Sequence, residues 1–121
     1  MVYKRHKHIA YIGVGSNIGN KVENCRKGIA AIDGIKGCTV ETQSPLYETE
    51  PVYLEDQDWF VNGVAKIGTD LASQILFEKL KNIEQRMGRR PEGVRFGPRA
   101  IDLDILFYDG VVSRAGSIEI P

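Results

Sequence analysis

The sequence has little capacity for cross-linking: only Cys25 and Cys38 occur in 121 residues. Their spacing matches neither a zinc site nor a redox pair, and both read as free thiols suited to a reducing compartment. Net charge is absent as well. Sixteen Lys+Arg balance sixteen Asp+Glu, which excludes a global attraction to nucleic acid or an anionic membrane and leaves function to local electrostatics. The apolar run Ile9 to Val14 is too short for a membrane span or the core of a signal peptide, so a soluble, cytoplasmic protein is expected. No Gly-x-x-x-x-Gly-Lys-Ser/Thr sequence occurs, and Gly13-x-Gly15 meets Ile18 where a dinucleotide fingerprint needs a third glycine. Any nucleotide site is therefore of another kind.

What is present fits one domain over residues 1–121, because a chain of this length with 42% hydrophobic residues can enclose a core. Met1 to Lys7, with His6 and His8 close by, reads as an untethered basic tail. Ile9 to Val14 is a strand ending in the turn Gly13-Val14-Gly15-Ser16-Asn17. Ile18, Val22, Cys25, Ile29 and Ile32 recur at helical spacing, and Asp33-Gly34 ends that helix. Gly28 inside it costs about 1 kcal/mol relative to Ala, so the helix depends on tertiary packing. Thr39 to Ser44 reads as a strand broken by Pro45, Thr49 to Asp58 as a loop, and Trp59 to Ile67 as a hairpin partner. Thr69-Asp70 offers an N-cap to a second helix with the stripe Leu76, Leu80, Ile83 and Met87, closed by Gly88. Ala100 to Tyr108 is strand again. The order βαββαβ predicts an α+β, ferredoxin-like core, an antiparallel sheet with helices packed on it.

Charge is unevenly placed along this frame. Six acids and no Lys or Arg lie between Glu41 and Asp58, whereas five arginines face one acid, Glu92, between Arg86 and Arg99. In the strand that follows, alternation sends Ile101, Leu103 and Ile105 to one face and Asp102 and Asp104 to the other. Two carboxylates so close repel each other unless a cation lies between them, and hard oxygen ligands of this kind suit Mg²⁺ sharing its shell with substrate phosphates. A pair of solvated acids on an exposed sheet is the plainer alternative. The arginine loop beside the pair could, taken alone, equally be a solvated surface or a nucleic-acid contact. Next to the Asp pair its forked cations suit phosphate oxygens, and arginines with paired magnesium ligands are what phosphoryl-group transfer needs. On the Trp59 strand, Phe60 and Asn62 share a face, so a flat heterocycle could stack on the ring and be read at its edge by the carboxamide; an edge-strand Asn beside a core Phe is the plainer alternative.

These segments resemble the 6-hydroxymethyl-7,8-dihydropterin pyrophosphokinase family. The resemblance rests on Val14-Gly15-Ser16-Asn17, on Ser44-Pro45-Leu46-Tyr47-Glu48-Thr49-Glu50-Pro51 with Gln57-Asp58-Trp59-Phe60-Val61-Asn62, and on Arg95-Phe96-Gly97-Pro98-Arg99-Ala100-Ile101-Asp102-Leu103-Asp104. It implies a diphosphotransferase of folate biosynthesis that moves diphosphate from ATP to the hydroxymethyl group of the pterin and releases AMP. It further implies that Asp102 and Asp104 bind two Mg²⁺ ions, that Arg89 and Arg99 are the catalytic cations, and that Glu84, Arg89, Arg95, Phe96, Arg99 and Ile105 meet ATP. Thr49, Glu50, Val52, Phe60 and Asn62 would hold the pterin. Small-molecule substrates are the implied partners, with no nucleic acid, no membrane, and a monomer or weak homodimer. Two departures stand out. Pro91 replaces a residue that is often basic in the family, and the chain ends at Ser117-Ile118-Glu119-Ile120-Pro121, where the family continues with His, Arg and aromatic residues. The alternative expectation is therefore a non-catalytic pterin- and metal-binding module lacking that wall.

Overall fold

The computed structural model describes residues 6–50, 59–88, 100–114 and 117–118. In chain order the elements are β1 (His8–Ser16), α1 (Lys21–Asp33), β2 (Cys38–Gln43), β3 (Tyr47–Thr49), β4 (Phe60–Thr69), α2 (Ser73–Met87), β5 (Asp102–Tyr108), β6 (Val111–Arg114) and β7 (Ser117–Ile118). The strands lie in the order β2-β4-β1-β5-β6-β7, with β3 also on β4, and every pairing is antiparallel. The protein is thus a mixed α/β structure with two helices and an antiparallel sheet. No helix among the described residues is long and apolar enough to cross a membrane.

Period-two alternation fixes which sheet face is covered. Ala10, Ile12 and Val14 of β1, Val61, Ala65 and Ile67 of β4, and Leu103 and Ile105 of β5 are buried on the face that meets the helices. From the other side come Cys25, Ile29 and Ile32 of α1 and Leu76, Leu80 and Ile83 of α2. Each large side chain so buried contributes about 1.5–3 kcal/mol, which is what holds two helices with modest ends onto the sheet. Gly28 has a local reason. A Cβ there would lie 3.0 Å from Ile101 Cδ1, so the glycine lets α1 approach the segment leading into β5. Asn20 caps α1 by accepting a hydrogen bond from Glu23 N at 3.2 Å.

Both cysteines are in the core. The Cys25 thiol points at the Val61 carbonyl at 3.4 Å, and burial pushes its pKa up to about 11. Cys38 Sγ lies 3.1 Å from Thr69 Oγ1, and burial raises its pKa too.

Six expectations need correction. Gly13 to Ser16 is not a turn but the end of β1, because Gly13, Val14 and Gly15 pair with β4 on one side and β5 on the other. Ile18 lies before the Asn20 cap, outside α1, and it and Val22 are exposed, so the packed stripe begins at Cys25. Thr69-Asp70 does not cap α2. Thr69 is the last residue of β4, paired with His8 and Cys38, its hydroxyl accepts from Leu71 N at 3.1 Å, and the helix begins only after Ala72, which makes no side-chain cap. Strand pairing wins because Thr69 is completely buried there. The histidines are not on a free tail. His6 Nε2 meets Thr39 Oγ1 at 2.9 Å, and His8 Nδ1 meets Asp109 Oδ2 at 2.6 Å, with Asp109 Oδ1 accepting from Ile9 N. Thr49 is not loop but the end of β3, a strand too short to show a period. β6 and β7, formed after the Asp109-Gly110 turn, extend the sheet beyond the six-element order.

Candidate active site

Opposite the helices, the strand register assembles two rows of residues. Tyr47 of β3 pairs with Asn62 of β4, Asn62 with Gly15 of β1, and Gly15 with Asp102 of β5. One step along, Val64 pairs with Gly13 and Gly13 with Asp104. Directly paired residues share a face, so Asn62 and Asp102 stand on the same surface two strand spacings apart, about 10 Å between Cα atoms. Only glycine lies between them. Phe60 is on this face as well, opposite Thr49, and half-exposed Trp59 precedes it. The Asn62 carboxamide donates through Nδ2 to Thr49 Oγ1.

The Asp pair alternates as its sequence requires. Ile101, Leu103 and Ile105 are buried, Asp102 is half-buried and Asp104 is exposed. Behind the pair, Leu103 N donates to Glu84 Oε2 at 2.7 Å, and Lys81 Nζ donates to the Leu103 carbonyl at 3.3 Å and to Glu84 Oε2 at 3.2 Å. Lys81 Nζ also lies 3.7 Å from Asp104 Oδ1. Burial raises the Glu84 pKa, against the lowering effects of the Leu103 N–H and Lys81, and nearby Asp102 adds to the rise. Asp102 and Asp104 offer two hard oxygen donors of the kind that fits Mg²⁺, and no cluster of three His, Cys, Asp or Glu occurs among the described residues.

Of the residues the sequence singled out, Asp102, Asp104, Asn62, Phe60 and Thr49 come together on one face. Glu50 follows β3 and is exposed, and the Glu84 carboxylate is turned onto β5. The Ile105 side chain is in the core, on the face opposite Asp104. Val52, Arg89, Arg95, Phe96 and Arg99 lie outside the described residues. Sequence reasoning missed Tyr47, Lys81 and the glycine floor. For the floor a signal existed, since Gly13 and Gly15 at spacing two must share a face, but which residues flank them depends on long-range pairing.

The family model for 7,8-dihydro-6-hydroxymethylpterin-pyrophosphokinase matches residues 11–121. Among similar proteins, a folic acid synthesis protein of Schizosaccharomyces pombe is 44% identical over 113 residues, covering 93% of this chain and 15% of that protein. A mitochondrial folate synthesis bifunctional protein of Arabidopsis thaliana is 41% identical over 115 residues, covering 95% of this chain and 20% of that protein. The 2-amino-4-hydroxy-6-hydroxymethyldihydropteridine pyrophosphokinase of Bacillus subtilis is 43% identical over 102 residues, covering 84% of this chain and 60% of that protein. The chain therefore spans less than two thirds of the length of these relatives. A match that begins inside β1 and takes in every element after it, the Asp pair and the Asn62 strand included, makes this chain a member of the 7,8-dihydro-6-hydroxymethylpterin-pyrophosphokinase family.

Proposed function

We propose that this chain transfers diphosphate from ATP to the hydroxymethyl group of 6-hydroxymethyl-7,8-dihydropterin, a step of folate biosynthesis, within a single cytoplasmic domain. One observation carries the reading: Asn62 and Asp102 lie in one row across the sheet with only Gly15 between them. A heterocycle read by Asn62 and stacked on Phe60 would then hold its hydroxymethyl arm toward the carboxylates. The strand order supports a ferredoxin-like βαββαβ core, with β3 inserted before β4 and β6 and β7 added after β5.

In this reading the pterin hydroxyl oxygen attacks the β-phosphorus of ATP, the bond from that phosphorus to the α,β-bridging oxygen breaks, AMP departs, and the hydroxyl proton passes to water. No covalent enzyme intermediate is required. Thr49, Glu50, Val52, Phe60 and Asn62 hold the pterin, with Glu50 and Val52 contributing through backbone groups. Glu84, Arg89, Arg95, Phe96 and Arg99 line the nucleotide side, with Ile105, whose side chain is in the core, contributing through its backbone, and Arg89 and Arg99 neutralise charge developing on the transferring oxygens. Asp102 and Asp104 would hold two Mg²⁺ ions, which supply charge neutralisation and a lower hydroxyl pKa when bound. Glu84 and Lys81 keep the strand carrying the pair in place, so alignment of the two substrates is the chain's main contribution.

The decisive assay is AMP release from MgATP with and without the pterin. Pterin-dependent AMP is expected, and clear pterin binding without AMP release would refute the transferase reading. Asp104→Ala should lower turnover about a hundredfold or more with the fold retained, because Asp104 is exposed; unchanged turnover would remove the Asp pair from the mechanism.

A further inference from the structure

Gly15 does more than end a strand. A Cβ built on it would lie 2.8 Å from Asn62 Oδ1, far inside contact distance, while its other neighbours are 3.8 Å away. The carboxamide of Asn62 therefore lies across β1 in the space where any other residue would carry its side chain. At its far end Nδ2 is held by Thr49 Oγ1, and Oδ1 takes no hydrogen bond among the described residues. Gly15 pairs with Asp102 on its other side, so the carboxamide extends along the row that leads to the carboxylates. The atom a Cβ would meet is the tip of a flexible side chain rather than backbone. A substitution there can be absorbed by moving Asn62, and its cost falls on the site instead of on the sheet.

We infer that Gly15 is a specificity-determining position: its bare Cα, with Thr49 as the opposite anchor, holds the Asn62 carboxamide flat over β1, where it reads the amide-like edge of a planar heterocycle. Gly15 acts through Asn62 and is a positioning residue. The inference rests on the proposed function, because it assumes that Asn62 contacts the heterocycle.

Three variants of the intact chain test it, Gly15→Ala, Thr49→Val and Thr49→Ser. The readouts are pterin affinity by fluorescence titration, MgATP affinity by calorimetry, and the Asn62 side-chain amide resonances by NMR. Gly15→Ala should weaken pterin binding about tenfold or more, the scale of a lost hydrogen bond with an unpaired group left behind. It should shift the Asn62 amide resonances and leave MgATP binding unchanged. Thr49→Val should weaken pterin binding in the same way, and Thr49→Ser, which keeps the hydroxyl, should restore it. A folded Gly15→Ala protein with wild-type pterin affinity overturns the inference while leaving the proposed function standing. Should Gly15→Ala not fold, the Thr49 pair decides through the Asn62 amide resonances of the pterin-free protein, and resonances that are the same in the Val and Ser variants overturn it. Wild-type protein that binds no pterin brings down the proposed function and this inference together.

Discussion

Leu103 sits between the two aspartates of β5 and, among the described residues, has a ladder partner, Val14, on one side only, since β6 pairs with β5 at Phe107 and Tyr108. Two side chains of α2 take its other side, Glu84 at the Leu103 N–H and Lys81 at its carbonyl. Removing one partner of a buried hydrogen bond costs about 1–3 kcal/mol, so Glu84→Ala should lower stability by that amount in urea unfolding, with Glu84→Gln losing less because it keeps an acceptor. The pH dependence follows from the raised pKa of Glu84. A carboxyl whose folded pKa lies above its unfolded value contributes stability that is full below the unfolded pKa and is lost as pH rises through the folded one. The stability of wild type relative to Glu84→Gln should therefore increase as pH is lowered from neutrality. A constant difference would mean that burial does not raise this group.

At the scale of elements, the close approach of α1 to Ile101 gives a coupled pair. Gly28→Ala gains about 1 kcal/mol of helix propensity but puts a methyl 3.0 Å from Ile101 Cδ1, and overpacking costs about 1–3 kcal/mol. The single variant should be destabilised, and the same change in an Ile101→Ala background, where both Cδ1 at 3.0 Å and Cγ1 at 3.1 Å are gone, should stabilise relative to that background. A double-mutant cycle in thermal or urea unfolding reads the coupling, and additive effects would show that the contact carries no strain. The helices were legible in the sequence because their apolar stripes repeat over several turns. The orientation of Asp102 and Asp104 was legible because Ile101, Leu103 and Ile105 fix the phase of the strand. The start of α2 was not, since a Thr-Asp pair looks the same at the end of a strand as at a helix cap, and only burial of Thr69 against Cys38 decides between them. The row from Tyr47 to Asp102 joins segments 55 residues apart, and no local period encodes such a pairing.

Across the whole molecule, the first strand is tied to the last part of the main sheet by Asp109. Its two carboxylate oxygens meet Ile9 N and His8 Nδ1, and the Ile9 bond, followed by the His8 contact, holds its pKa below the ordinary value. A depressed carboxyl contributes stability that is present above its unfolded pKa and lost as pH falls through the folded one. Asp109→Asn should therefore flatten the acid limb of the stability curve and lower stability near neutrality. Asn tolerates the left-handed backbone there, with φ at 50°, so the turn itself should survive. Acid unfolding curves of identical slope would show that the contact contributes nothing to closure.

The two cysteines give the molecule a pair of internal clocks. Cys25 is on the sheet-facing side of the first helix and Cys38 at the start of β2, both shielded from solvent, so an alkylating reagent can reach either sulfur only when that region opens. Labelling rates measured separately at the two sites, by peptide mapping under native conditions, would tell whether helix and edge strand detach together or one before the other. The comparison needs no engineered probe.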